Sequence, residues 1–330
     1  VSRFGRTMFD IFVKEYSEKV WGIECHRIAA ELAEWRIQNL SVGAAVRDAL
    51  FPRSRGTVRS LARKFLYPAL GIGRAAEGLR RQIEESNRVL TGVTVTGVHH
   101  SGGMIENVTV REGDRTGRYR ADEFLSSIPL NSLVRLLDPK PPGDILAAAD
   151  RLRFRDLVTV TVMINRARVT DQSWIYVPER GIPFGRIHEP TNWSAKMAPE
   201  GKTLLVTEHF CFRGDDVWNA DDDTLAETTI AGLESLGLIH QREVIDSLVL
   251  RVPNAYPIFE IGYDGDRRKI CDYLGSLGNL RVIGRGGMFQ YFNMDHAMES
   301  GIAAADEIMA GSTEPRGHRR EERVLAEARP

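Results

Sequence analysis

The sequence predicts an α/β protein, α+β in part, with room for two domains. Three observations carry that reading. The chain has 330 residues, of which 42% are hydrophobic and 27% charged, enough to bury a large core in two domains. Its apolar spacing changes from helical to alternating near Val89 and back again further on. Residues 279–309 then read as an apolar strand, a glycine-rich loop and a helix.

Taken in order, residues 5–50 read as helical, with Met8, Phe9, Phe12 and Val13 at helical spacing. A second helical stretch, Ile28 to Leu40, carries Leu32, Trp35 and Ile37. Phe51–Gly56 is expected to be a loop, and Phe65-Leu66-Tyr67-Pro68 a short strand. Gly71-Ile72-Gly73 follows, then a helix from Arg74 to Glu85. Strands are expected at 93–100, 104–112 and 118–128, joined by turns containing glycine. Helical sequence fills 130–152, and 156–166 alternates as a further strand. Shorter strands are expected at 173–177, 184–188, 203–211 and 246–252, with helices at 222–236 and 264–275. Residues 312–330 are charged and nearly free of large apolar side chains, which predicts a disordered tail.

Composition narrows the function. The formal net charge is −1, so no global field draws in nucleic acid or an anionic membrane. The one basic cluster, residues 51–64, reads as a solvated face or a phosphate contact. Cys25, Cys211 and Cys271 show neither CxxC nor Cys/His ligand spacing, so no metal or disulfide framework is expected and a reducing cytoplasm fits. No apolar run reaches the roughly 18 residues needed to span a bilayer, and no signal peptide is expected. The eight histidines show no metal spacing. His99 and His100, neighbours on a strand, point to opposite faces. No Ser/His/Asp or Cys/His arrangement supports covalent catalysis, and no catalytic acid or base is identified.

The stretch NLRVIGRGGMFQYFNMDHAMESGIAAADEIM, residues 279–309, carries the most chemistry. Leu280, Val282 and Ile283 run into Gly284-Arg285-Gly286-Gly287, where missing side chains let backbone approach a ligand. The helix expected from Asp295 presents free N–H groups and a partial positive charge at its start, with Asn293 or Asp295 as cap. The small residues Ala297, Gly301, Ala303, Ala304 and Ala305 would let it lie close to a sheet. From these residues alone the segment is either a nucleotide or phosphate site, or a tight turn before a packing helix. It is neither a P-loop nor a G-x-G-x-x-G fingerprint.

The pattern G-R-x-G-x-x-x-Y-x-N-M-D resembles the C-terminal flavin segment of FAD-dependent oxidoreductases of the amine oxidase and protoporphyrinogen oxidase type, a superfamily that includes UDP-galactopyranose mutase. Further matches run in order along residues 1–310. Tyr16-Ser17-Glu18-Lys19-Val20-Trp21-Gly22 resembles a Y-T-E-K-V-W-G signature of bacterial relatives. Phe65–Gly73 resembles F-x-Y-P-x-x-G-x-G, and Val93–Val98 a strand whose valine packs on adenine. Ser126-Ser127-Ile128-Pro129 is similar to an S/N-x-P turn, and Arg251–Pro257 to an R-V-P-x-A-Y-P stretch near the substrate.

The resemblance implies an incomplete two-domain fold, with a Rossmann-like FAD domain and a substrate domain of mixed sheet and helices. Residues 62–132 and 278–310 would be FAD-domain segments; 1–61 and 133–277 would be the helical and sheet parts of the substrate domain. The G-x-G-x-x-G unit of such proteins is expected to be lacking. Cofactor contacts would come from Val95, Ser127, Pro129, Gly284, Arg285, Gly286, Met294, Asp295 and Met298. Lys19, Trp21, Trp174, Arg186, Tyr256 and Tyr291 would face a small-molecule substrate. Lys19 and Trp21 have a second reading, as a surface charge and a core anchor on one helix. Tyr291 could equally be a buried aromatic, and the group of Trp174, Tyr176, Arg186, His188, Asn192 and Trp193 could be core packing. The implied chemistry is hydride removal from a substrate C–N or C–C bond to flavin N5. The alternatives are a flavin-dependent sugar mutase or an inactive truncated fragment.

Overall fold

The computed structural model describes residues 14–32, 66–311 and 324–325. The helical residues expected at Met8–Val13 and Trp35–Leu40, the loop Phe51–Gly56 and Phe65 lie outside them. In chain order the first helix, α1, is Glu15–Trp21. It ends at Gly22, whose backbone is left-handed with φ 66°. Glycine is needed there for a second reason, because a Cβ would lie 2.6 Å from Arg155 Nη1. Helix α2 is Gly73–Glu84, and strands β1 (Val93–Ser101), β2 (Met104–Glu112), β3 (Arg115–Tyr119) and β4 (Phe124–Ser126) follow. Next come α3 (Leu130–Leu136), β5 (Leu137–Asp138), α4 (Gly143–Arg151), β6 (Phe154–Ile164), β7 (Ile175–Tyr176), β8 (Arg186–His188) and β9 (Thr203–Cys211). The remainder is α5 (Asp216–Asn219), α6 (Asp222–Ser235), β10 (Val244–Pro257), α7 (Tyr263–Gly275), β11 (Leu280–Val282), α8 (Gly284–Met288), α9 (Met294–Gly311) and β12 (Val324–Leu325).

The chain packs as two compact units, Val1–Asn87 with Arg155–Ala255 and Arg88–Phe154 with Tyr256–Pro330. In the first unit a five-stranded sheet runs β10-β6-β9-β8-β7. The alternation of β6 sends Val158, Val160, Val162 and Ile164 to one face, each fully buried, as a half-covered strand requires. That face packs with Leu205 and Phe184 against Leu225 and Leu233 of α6. Several of the buried polar groups are matched by specific partners, although Trp174 Nε1, His188 Nδ1 and Asn192 Oδ1 are buried without a hydrogen bond among the described residues. The Glu189 carboxylate accepts N–H bonds from Val169 and Thr170 and a hydroxyl bond from Thr203. Arg155 donates to the carbonyls of Val20 and Phe210, fixing the end of α1 to the edge of β9. His209, 1% exposed, sits 3.1 and 3.0 Å from the hydroxyls of Thr207 and Thr229. Burial, and then the charge of Lys19, push its pKa down to about 4.

In the second unit β1, β2 and β3 form an antiparallel meander, edged on one side by β5 and on the other by β12. A separate two-stranded parallel sheet joins β4 and β11. Asn279 connects the two sheets: its side chain receives the Ile105 N–H at 2.7 Å and donates to the Ile105 carbonyl at 2.9 Å. Phe289, fully buried with φ 51°, closes α8 and meets the rings of Phe154, Phe259 and Tyr263 at 5.1, 5.9 and 6.1 Å.

Several expectations are corrected. Residues 66–68 are not a strand, because Pro68 has no N–H to give a ladder. Its carbonyl instead accepts from Gly71 in a turn. The single strand expected over 118–128 is two, β3 and β4, which join different sheets. Gly284–Gly287 is the first turns of a short helix rather than an open loop. Ala304 is the one buried residue of α9, and a Cβ on Gly301 would meet nothing within 4 Å. The small residues of α9 therefore do not press on a sheet among the described residues. Most of the tail expected over 312–330 lies outside the described residues, but Val324 and Leu325 pair with Arg118 and Gly117.

Two measurements follow from this packing. His209 titrates near 4 when folded, against 6.5 ordinarily, so between those values the unfolded chain binds the extra proton. Stability is full above about pH 6.5 and falls as the pH drops toward 4, by roughly 3 kcal/mol for this group. Urea unfolding across that window should show the loss, and His209→Gln should remove the His209 part of it, leaving the similar part of His188, which is also held near 4. The second concerns Gly287, where an added Cβ would lie 2.7 Å from the Ser126 carbonyl oxygen. Gly287→Ala should cost about 1–3 kcal/mol. Gly301→Ala, in open space, should leave thermal stability unchanged or slightly raised through helix propensity.

Candidate functional site

The parallel pairing of β4 with β11 aligns Phe124 with Leu280, Leu125 with Arg281 and Ser126 with Val282. The Ile283 N–H then donates to the Ser126 carbonyl at 2.9 Å, so both strands end at the same level. Beyond β4 the chain passes Ser127 and Pro129 into α3; beyond β11 it turns at Gly284, φ 72°, into α8. A crevice at the carboxyl ends of parallel strands is where α/β proteins hold nucleotides.

The two turns touch. A Cβ on Gly284 would lie 3.8 Å from the Ser127 Cβ, and one on Gly286 would lie 3.5 Å from the Ser127 carbonyl and 3.6 Å from the Pro129 Cα. The structure thus brings together Ser127, Pro129, Gly284 and Gly286, which lie about 155 residues apart in the chain. Arg285 belongs to the same turn. Its Nε donates to the Phe292 carbonyl, and its guanidinium stands 5.0 Å from the centroid of the Tyr256 ring, a cation–π distance. One expected cofactor residue and one expected substrate residue are therefore in contact. Tyr291 is half-buried, its ring 6.2 Å from Phe259.

Helix α9 starts at Met294, so Asn293 holds the cap position and Asp295 the first turn. Met294 and Met298 are 50% and 44% exposed, and Asp295 is exposed too. All three are open to a ligand. Val95 lies in the other sheet, half-buried on β1 opposite Val110. The donor set suits an anionic group such as a diphosphate: one guanidinium, a glycine turn, and no acidic side chain from Gly284 to Met294.

The expected substrate residues of the first unit fall into two groups. Lys19 Nζ donates to the carbonyls of Val177 and Glu179 at 3.0 and 2.8 Å, and burial outweighs Glu179 in lowering its pKa to about 8. Two of the three donors of the Lys19 ammonium are thus engaged. Trp21 is 2% exposed. Trp174 and Arg186 belong to an aromatic cluster on the sheet. Trp174, His188 and Trp193 lie nearly parallel, with centroids 5.1 to 6.3 Å apart, and Tyr176 adds an edge contact to Trp174. The Arg186 guanidinium stands over Trp174 and Phe210 and pairs with the buried Glu208 carboxylate. Burial raises the Glu208 pKa while Arg186 opposes it. His188 is held neutral, its pKa lowered to about 4 first by burial and then by Arg186.

Sequence reading missed Glu208 and Ser300. Glu208 carried a signal, an acid beside a histidine in the otherwise apolar strand TLLVTEHFC. Ser300, which accepts the Gly284 N–H at 2.9 Å, had none, being one of several small residues on its helix. Among the described residues no cluster of His, Cys, Asp and Glu could hold a metal ion.

Solved structures of similar fold include a reduced UDP-galactopyranose mutase, with a TM-score of 0.77 at 22% identity over 94% of this chain and 66% of that one. An Exiguobacterium protein assigned as a protoporphyrinogen oxidase matches with a TM-score of 0.60 at 16% identity, over 81% of this chain and 59% of that one. A redesigned putrescine oxidase matches with a TM-score of 0.53 at 14% identity, over 73% and 53%. The chain thus spans less than two thirds of the length of each. Residues 2–309 match the flavin-containing amine oxidoreductases as a family. Nearly the whole chain falls within that match, and it belongs to the flavin-containing amine oxidoreductase family.

Proposed function

We propose that this chain forms part of an FAD-dependent oxidoreductase acting on a small-molecule C–N or C–C bond. The observation that carries the reading is the meeting of the Ser127–Pro129 turn with Gly284–Gly286 at the carboxyl ends of β4 and β11. In this reading Arg285 and Gly286 hold the diphosphate, with Gly284, Ser127 and Pro129 as the adjoining wall. Met294, Asp295 and Met298, on the first two turns of an 18-residue helix, border the flavin ring, and Val95 borders the adenine. The start of that helix favours negative charge on the ring edge it faces. Bound there, the flavin would supply the hydride acceptor, and the protein would supply orientation, exclusion of water and electrostatics.

Tyr256, Tyr291, Trp174 and Arg186 are assigned to the substrate side. Lys19 and Trp21 are assigned to packing, because two of the three donors of the Lys19 ammonium bond carbonyls and Trp21 is in the core. Cys25, Cys211 and Cys271 are free thiols, which suits a reducing compartment such as the cytoplasm.

A second reading is a flavin-dependent sugar mutase, favoured by the higher TM-score and coverage against UDP-galactopyranose mutase. Turnover separates the two. The oxidoreductase should reduce dioxygen to peroxide, or reduce a dye acceptor, in step with an amine or C–H substrate. A mutase would interconvert a sugar nucleotide with no net acceptor reduction, and that result would replace the first reading.

The cofactor assignment has its own measurement. Protein expressed from its complete coding sequence should quench flavin fluorescence on titration with FAD. Arg285→Ala should weaken that binding about tenfold or more, since a charged hydrogen bond is worth about 1.5–3 kcal/mol. Arg88→Ala, outside the turn, should leave it unchanged. Absence of FAD binding by the unaltered protein would overturn the assignment.

A further inference from the structure

Gly284 cannot begin α8 on its own terms. The Ile283 N–H points to β4 and bonds the Ser126 carbonyl, so the next N–H of the extended chain, that of Gly284, points away from that ladder and needs a partner from elsewhere. The partner is a side chain sixteen residues on: the Gly284 N–H donates to Ser300 Oγ at 2.9 Å. The Ser300 hydroxyl in turn donates to the Ala297 carbonyl at 2.7 Å, one turn earlier on α9. Both capacities of the hydroxyl are thus used, and neither is local chain stiffening alone. The acceptor half reaches the glycine turn, and the donor half locks the rotamer that reaches it.

We infer that Ser300 is a positioning residue, setting the first turn of α9 against the Gly284–Gly286 turn. The inference rests on the proposed cofactor reading, because the two elements it joins are the ones assigned to the flavin ring and the diphosphate. Among the described residues Ala304 is the one buried residue of α9, Gly301 faces open space, and the Arg281–Glu307 pair at 3.8 Å lies toward the far end of the helix. A shift of that helix relative to the glycine turn would leave the core intact and misplace Met294 and Met298. Thus a loss at Ser300 is felt in ligand geometry more than in folding.

The test compares Ser300→Ala with Ser300→Thr, which keeps the hydroxyl, in protein from the complete coding sequence. Amide hydrogen exchange at Gly284 should speed up at least tenfold in S300A and stay near the original rate in S300T, with or without flavin. FAD affinity should fall about tenfold in S300A, with a shifted flavin absorption band, while S300T recovers most of both. The thermal midpoint of the flavin-free protein should move by only a few degrees. Unchanged affinity and spectrum in an S300A protein that exchanges faster at Gly284 would make Ser300 a packing residue and overturn the inference. If the unaltered protein binds no FAD, the cofactor reading itself has failed. If exchange at Gly284 does not respond, the bond is not the link it is taken to be.

Discussion

The candidate site depends on one close approach, that of the glycine turn to the end of β4. Gly287 sits where a Cβ would come within 2.7 Å of the Ser126 carbonyl, well inside van der Waals contact. Only a residue without a side chain lets α8 start directly over that strand. The parallel pairing of β4 with β11 sets the level at which both strands stop. The missing Cβ atoms of Gly286 and Gly287 then let Ser127 and Pro129 stand against the turn. Phe289 holds the far end of α8 by filling an aromatic core with Phe154 and Phe259. Arg285, between these anchors, has little choice but to leave the helix toward Tyr256.

The first unit obeys a different constraint. It buries Glu189, Glu208, His209, Arg155 and Arg186, and an unmatched buried charge costs several kcal/mol. Each is answered by a specific partner: backbone N–H groups and a hydroxyl for Glu189, Arg186 for Glu208, and backbone carbonyls for Arg155. The histidines avoid the cost by staying neutral. Where the partners are fixed in this way, the network tolerates little rearrangement.

Much of this was legible in the sequence where periodicity and glycine speak for themselves. The runs VTVTGVHH, MIENVTVRE and DLVTVTVMINR alternate cleanly, and they are strands β1, β2 and β6. The segment 279–309 also read correctly at its two ends as strand and helix, while Gly284–Gly287 between them starts a short helix rather than the loop expected. What was hidden depends on contacts far apart in sequence. Nothing local distinguishes a glycine that packs on a carbonyl, such as Gly287, from one facing open space, such as Gly301. The small-residue row of α9 suggested a helix pressed against a sheet, and the described residues give it none. Lys19 and Trp21 sit in a signature that resembles a functional one, yet the lysine's donors go to carbonyls of a distant loop. The break between β3 and β4 was also invisible, since it is decided by which sheet each half joins.

The absence of a strong acid–base pair among the assigned residues is coherent with the proposed chemistry. Where a bound cofactor accepts the hydride, the protein need not generate a nucleophile or stabilise a large new charge on a side chain. A neutral, aromatic surrounding serves better, because exclusion of water strengthens the few electrostatic contacts that remain. The cluster on the sheet has that character. His188 is kept uncharged beside two indoles, and Arg186 is neutralised by Glu208 before it can act as a free cation. Arg285 differs: its guanidinium lies on the Tyr256 ring at the glycine turn, where the proposed diphosphate would meet it. In the proposed reading that guanidinium supplies the cationic chemistry of the cofactor turn.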